Sequence, residues 1–169
     1  AGMATVRHWD DIKHKPHREL KISPLAVIPQ RDRRGRMILD LSFGVHRKGK
    51  GKRKLGEKIQ PSVNDTTIAK SPPEPVKELG QVLPRVLDFM HKTPEGQDIH
   101  LSKIDLSDGF WRMVVSDDDR WHFAYVLPSL PGGPIRLVVP NALQMGWTES
   151  PGLFCMATEM ARDVIQALS

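Results

Sequence analysis

Cysteine occurs once in these 169 residues, at Cys155. A single thiol excludes both an intrachain disulfide framework and a thiolate zinc site within one chain. No apolar run approaches the roughly 20 residues that a membrane-spanning helix requires. The opening stretch AGMATVRHWDDIKHKPHRE lacks the apolar centre of a secretory signal, so an intracellular setting is expected, with cytoplasm and nucleus both open. No initiator Met stands at position 1, and a helical pattern is still running at Ser169 without a Gly or Pro stop signal. A piece of a longer chain is therefore expected. His8, His14 and His17 have no cysteine or carboxylate at zinc-ligand spacing and read as surface histidines.

The residues that are present have an ordinary globular balance, 39% hydrophobic and 27% charged, which argues against wholesale disorder. The net charge of +5 is unevenly spread. Residues 1–60 hold 16 Lys/Arg against 6 Asp/Glu, whereas residues 61–169 hold 9 against 14. A basic N-terminal part suits a polyanion, because Lys and Arg displace counterions condensed on phosphates. An acidic remainder is compatible with a divalent-metal site or with an ordinary solvated surface.

Strand and helix patterns alternate irregularly, which predicts an α+β fold rather than a doubly wound sheet. Residues 25–29 and 37–41 read as a hairpin around the polar turn RDRRG. Residues 44–58, with almost no apolar content, read as a flexible basic loop. It is open to template binding, to service as a nuclear import signal, or to being an unconstrained insertion. Leu79, Val82, Leu83, Val86, Leu87 and Met90 recur at helical spacing, with Pro84 expected to kink or divide the helix. An apolar strand is expected to end near Leu106, with further strands in HFAYVL and IRLVVP. Ser150-Pro151 marks a helix start, followed by an apolar stripe that includes Cys155. Asp117, Asp118 and Asp119 read as an exposed turn beside a helix start at Ser116, not as metal ligands.

The segment Lys103-Ile104-Asp105-Leu106-Ser107-Asp108-Gly109-Phe110-Trp111 holds the most chemistry. A carboxylate ending an apolar strand is costly to bury unless a cation offsets it, and magnesium takes such oxygens together with substrate phosphates. Asp108 and Gly109 form a turn whose backbone N–H groups suit a triphosphate. By itself this spacing also describes many plain loops.

This segment resembles the first palm motif of reverse transcriptases. Leu143-Gln144-Met145-Gly146-Trp147-Thr148-Glu149-Ser150-Pro151-Gly152-Leu153-Phe154 is similar to the family's second palm motif, Leu-Pro-Gln-Gly-x-x-x-Ser-Pro-x-x-Phe. Gly146, Ser150, Pro151 and Phe154 align, but Met145 stands where the family usually has Gln. A third likeness lies in Ser23-Pro24-Leu25-Ala26-Val27-Ile28, a basic turn, and Arg36-Met37-Ile38-Leu39-Asp40, which resembles the fingers hairpin. The three occur in the family's order across residues 21–166.

The resemblance implies fingers at 21–92 and a partial palm at 93–169, after an N-terminal extension at 1–20, in a right-hand polymerase whose antiparallel palm sheet is backed by helices. It implies that Asp105, with the Leu106 carbonyl, binds two Mg2+ ions, and that Phe110 screens out the ribose 2′-hydroxyl. Arg36, Asp108, Gly109, Met145 and Gly146 would meet the incoming dNTP. Arg31, Arg33, Arg34 and Trp147 would meet an RNA or DNA template–primer, either Arg31 or Arg33 replacing the family's lysine. The activity implied is RNA-directed DNA synthesis by a retrotransposon-type enzyme, with an LTR-type element preferred. The family's aromatic-x-Asp-Asp hairpin does not occur in this sequence, nor do a thumb and ribonuclease H region, so these 169 residues alone are expected not to polymerise. The alternatives are a non-catalytic nucleic-acid-binding remnant and an RNA-making palm polymerase, the latter disfavoured by Phe110.

Overall fold

The computed structural model describes residues 2–48, 55–101 and 103–168. In chain order the elements are β1 (Ala4–His8), α1 (Trp9–Ile12), β2 (Leu25–Gln30), β3 (Arg33–Leu39), β4 (Val45–Lys48), β5 (Leu55–Gln60), α2 (Val63–Thr66), α3 (Pro73–Leu79), α4 (Val82–Lys92), β6 (Tyr125–Val126), β7 (Arg136–Pro140) and α5 (Ser150–Leu168), with 3-10 turns at Gly109–Arg112 and Asp119–Phe123. The fold is α+β, with small antiparallel sheets. No helix among the described residues is long and apolar enough to cross a membrane. The chain forms two compact units, one of Ala1–Ala69 with Phe110–Ser150, the other of Lys70–Gly109 with Pro151–Ser169.

In the first unit β7 is the central strand of a three-stranded sheet, flanked by β1 and β6. Its RLVVP sequence has apolar residues on both faces, as a strand covered on both sides requires. Val138 packs with Leu39, Leu41, Val63, Phe123 and Tyr125. Leu137 and Val139 turn to the other face and pack with Ala124, Ile12, Leu20 and Trp121. β1 lies within the N-terminal extension, and its register runs from Ala4 opposite Pro140 to His8 opposite Arg136. Each fully buried aliphatic side chain here contributes about 1.5–3 kcal/mol.

The first hairpin forms where expected, but its turn is tighter. β2 and β3 enclose only Arg31 and Asp32, and Asp32 takes a left-handed φ of 58° that aspartate tolerates in a two-residue turn. The ladder is irregular between Ile28 and Gln30, at Pro29, which has no N–H to donate.

Three expectations need correction. Residues 45–48 and 55–60, overlapping the expected basic loop at 44–58, are antiparallel strands β4 and β5, with Val45 opposite Gln60 and His46 opposite Lys58; residues 49–54 lie outside the described residues. The ends of this segment are anchored together, because the Asn64 N–H donates to the Leu41 carbonyl at 3.0 Å, and closure at the base favours a ladder despite the charge. Residues 101–106 form no strand where they are described, and Leu101 and Ile104 are 73% and 84% exposed. An apolar run becomes a strand only when neighbouring strands take up its backbone groups, and none pairs with this run among the described residues. The helix break falls at Gly80 and Gln81 instead of Pro84. Pro84 sits in the first turn of α4, where its missing N–H has no intrahelical acceptor to lose.

Asp117 lies 3.3 Å from the Arg120 guanidinium, and Asp118 lies 3.4 Å from His17 Nε2. Asp119 instead exchanges hydrogen bonds with Ser116, as a capped turn does. Cys155 is buried.

Tyr125, the only tyrosine, is buried, and burial raises the pKa of its phenol because the phenolate is disfavoured away from water. A folded pKa above the unfolded one means stability is fully present below the unfolded value of about 10 and is lost as pH rises through the folded one. Lys21 acts with the opposite sign: burial lowers its pKa, against the pull of Asp65 and Glu19, so this lysine adds stability as pH rises through its range. Near-ultraviolet titration of the single phenol is expected to give a higher midpoint in the folded chain than in denaturant. Tyr125→Phe is expected to remove a stability loss of up to about 1.4 kcal/mol per pH unit above pH ~10, read from urea midpoints. Equal midpoints in folded and denatured chains would contradict this burial.

Candidate functional site

In the first unit, the loop of residues 143–149 is held against the base of the β2–β3 hairpin. Gly146 has a φ of 97°, and a Cβ there would lie 3.3 Å from the Leu39 carbonyl oxygen. Both facts favour glycine at this position. Asn64, in the short helix α2, ties the loop down. Its Nδ2 donates to the Gly146 carbonyl and to Ser42 Oγ, each at 2.9 Å, and its Oδ1 accepts from the Thr148 N–H at 3.1 Å. Ser150 Oγ donates to the Gln144 carbonyl at 2.8 Å and closes the loop from its far end. Asn64 carried no warning in its own residue type. The Ser62–Asp65 capping box around it is a recognisable helix-start pattern that marks where α2 begins.

The residues of this unit that the resemblance picked out differ in their surroundings. Gly146 and Met145 are exposed on the held loop, Met145 at 62%. The Gln144 amide is buried and donates to the carbonyls of Ala142 and Leu143, so it is turned into its own backbone. The Trp147 indole donates to Thr67 Oγ1 at 2.8 Å, and its ring meets Phe123 edge-on at 5.2 Å, which makes it a packing group. Arg31, Arg34 and Arg36 are exposed on the hairpin, and Arg36 lies opposite Ile28 in the ladder. The Arg33 side chain lies outside the described residues. Asp40, just past β3, accepts from the Ser42 N–H at 3.0 Å, which places it at the same junction as Asn64. Phe110 is half-buried, and its carbonyl accepts from the Met113 N–H at 3.1 Å.

In the second unit, residues 103–106 belong to no helix or strand, and Asp105 is exposed, with no hydrogen bond or ion pair among the described residues. Asp108 takes a left-handed φ of 55°, which turns the chain at the Asp-Gly step. Gly109 then lies hard against α5: a Cβ there would stand 2.7 Å from the ring of Phe154. The turn of the first motif therefore packs on the aromatic that ends the second.

No group of three or more His, Cys, Asp or Glu side chains is arranged to hold a metal ion among the described residues. Asp105 offers one carboxylate, too few for a pair of magnesium ions. The described side chains do not by themselves make up that centre.

No protein-family model matches the chain, and no curated protein or solved structure matches it.

Asn64→Ala is expected to cost about 1–3 kcal/mol, since it removes three hydrogen bonds and leaves the Gly146 and Thr148 backbone to find other partners. Urea unfolding measures the cost, and faster amide exchange at residues 145–148 localises it. Gly146→Ala is expected to destabilise by about 1–3 kcal/mol from the backbone conformation alone. A neutral result for either change would show that the loop is not latched in this way.

Proposed function

We propose that the chain is the fingers and the first part of the palm of an RNA-directed DNA polymerase. The observation that carries this reading is the seat of Gly109 on Phe154, which joins two motifs 45 positions apart that the resemblance had matched separately. The contact of Gly146 with the Leu39 carbonyl supports it from the first unit, since it sets the second-motif loop against the arginine-bearing hairpin.

In this reading Arg36 and its neighbours on the hairpin hold the triphosphate of a deoxynucleotide. A guanidinium suits that role, because its planar fork matches phosphate oxygens and its charge persists at any physiological pH. Gly146 presents backbone to the nucleotide and template base, where a side chain would obstruct approach. Phe110 lies beneath the sugar, where a 2′-hydroxyl would meet its ring. Asp105 contributes one carboxylate to the magnesium ions, which when bound supply charge neutralisation for phosphoryl transfer. The remaining carboxylates belong to an aromatic-x-Asp-Asp hairpin not contained in these residues.

The product of the whole reading frame, supplied with magnesium, deoxynucleotides and a primed RNA template, is expected to extend the primer. Asp105→Asn is expected to reduce extension on the order of a thousandfold, the loss of several kcal/mol of transition-state stabilisation. Retained extension in this variant would sink the assignment. Phe110→Ala is expected to leave deoxynucleotide incorporation within about tenfold of the parent while admitting ribonucleotides at least about tenfold better. Equal use of both sugars by the parent protein would remove the gate from the reading. A chain that binds template–primer but does not extend it, with Asp105→Asn indistinguishable, would instead be the non-catalytic remnant.

A further inference from the structure

In the first unit a small groove of about 40 Å³ lies between residues 21–23 and the chain from Gln60 to Val63. Its polar wall is made by Lys21, Ser23, Gln60 and Ser62, with the half-exposed ring of Phe43 beside them, and no carboxylate lines it. Ser23 is only 6% exposed, yet its hydroxyl makes no hydrogen bond among the described residues and its oxygen is not sealed in. A hydroxyl so placed calls for a partner from outside the chain. Lys21 brings the charge. Its Nζ donates to Thr66 Oγ1, whose own proton goes to the Ser62 and Val63 carbonyls at 3.2 and 3.1 Å. The other two ammonium hydrogens have no acceptor among the described residues. The acids that act on this amine, Asp65 and Glu19, are engaged elsewhere. Asp65 accepts from the Ser62 N–H and hydroxyl, each at 2.7 Å, and Glu19 lies 3.1 Å from His122. Burial lowers the Lys21 pKa in spite of them, as it does where an ammonium lacks compensation. The walls themselves are fixed, since the Lys21 and Ser23 N–H groups donate to the Trp121 and Ala124 carbonyls at 3.1 and 2.9 Å, and Ser62 caps α2.

We propose that this groove is an oxyanion site that takes a phosphate group, either the free ion or the terminal phosphate of a larger molecule. Lys21 supplies the charge-assisted donors, which are the stronger kind, and the Ser23 hydroxyl and Gln60 amide supply neutral ones. A phosphate carries acceptor oxygens on every side, so a single group satisfies Lys21 and Ser23 together. A water molecule would accept from Ser23 but would bring no negative charge to the buried ammonium. None of these residues has a role in the polymerase reading, so the site stands or falls apart from it.

The test is calorimetric titration of the 169-residue chain with inorganic phosphate at constant ionic strength, which holds general screening fixed. Saturable binding to one site is expected. Ser23→Ala is expected to weaken it about three- to tenfold, the loss of one hydrogen bond, with no change in the urea midpoint because that hydroxyl holds nothing else. Lys21→Met is expected to weaken it at least about tenfold, and Lys21→Arg, which keeps the charge, to weaken it less. Should Lys21→Met fail to fold, Ser23→Ala decides by itself. Arg31→Gln/Arg36→Gln on the hairpin is expected to leave phosphate binding as in the parent. Loss of binding there, with none at Lys21 or Ser23, would place the anion on the hairpin and overturn the groove. A short 5′-phosphorylated oligonucleotide is compared with the same oligonucleotide lacking that phosphate. Tighter binding of the first, by a margin that Ser23→Ala removes, would identify a terminal phosphate as the occupant; equal binding of both beside bound inorganic phosphate would identify the free ion. Absence of saturable phosphate binding, or binding that Ser23→Ala and Lys21→Met leave unchanged, would overturn the proposal and reduce the groove to a water site.

Discussion

A single side-chain amide joins three separate stretches of the first unit. Asn64 reaches Ser42 just beyond the hairpin, the Gly146 carbonyl, and the Thr148 N–H, while its own backbone N–H is bound to Leu41. A loop such as 143–149, with its backbone turned through a positive φ, holds one shape only if its polar groups are satisfied from outside. Asn64 does this from a helix of four residues that a capping box and the buried Val63 hold in place. With that latch in place, Gly146 meets the Leu39 carbonyl, the hairpin base is braced, and the strands leaving Leu41 start from a fixed point.

The second unit is organised by steric closeness more than by hydrogen bonds. Gly109 touches the Phe154 ring, and Gly152 approaches Ser71 so closely that a Cβ there would collide with its hydroxyl. Both glycines lie in the segments that the resemblance picked out. Here the absence of a side chain has a function in packing: it lets the turn after Asp105 and the segment before α3 lie directly against α5.

The charge asymmetry also acquires a shape. Of the basic residues in the first 60 positions, those at 31–36 lie on the β2–β3 hairpin, and Arg47, Lys48 and Lys58 lie on β4 and β5. Two ribbons, each an isolated pair of strands, thus hold much of the positive charge. The sheet centred on β7 is instead covered on both faces and is the part that contributes apolar burial.

Local pattern determined a good deal. Short apolar runs bounded by turn residues placed β2, β3 and β7, and Ser150-Pro151 placed the start of α5, because these signals depend on neighbouring residues alone. The glycines at 109 and 146 were legible as candidates through the motifs around them. What residues 101–106 would do was not legible, since an apolar stretch becomes a strand only if a partner takes up its backbone. Nor was the β4–β5 ribbon, whose ladder depends on two anchored ends meeting near Leu41 and Asn64. Tertiary structure alone decided that Trp147 packs on Phe123 and that Gln144 folds back on its own backbone. It decided as well that an asparagine with no signature of its own joins the Gly146 loop to the hairpin, because such contacts depend on residues up to 84 positions apart meeting in space.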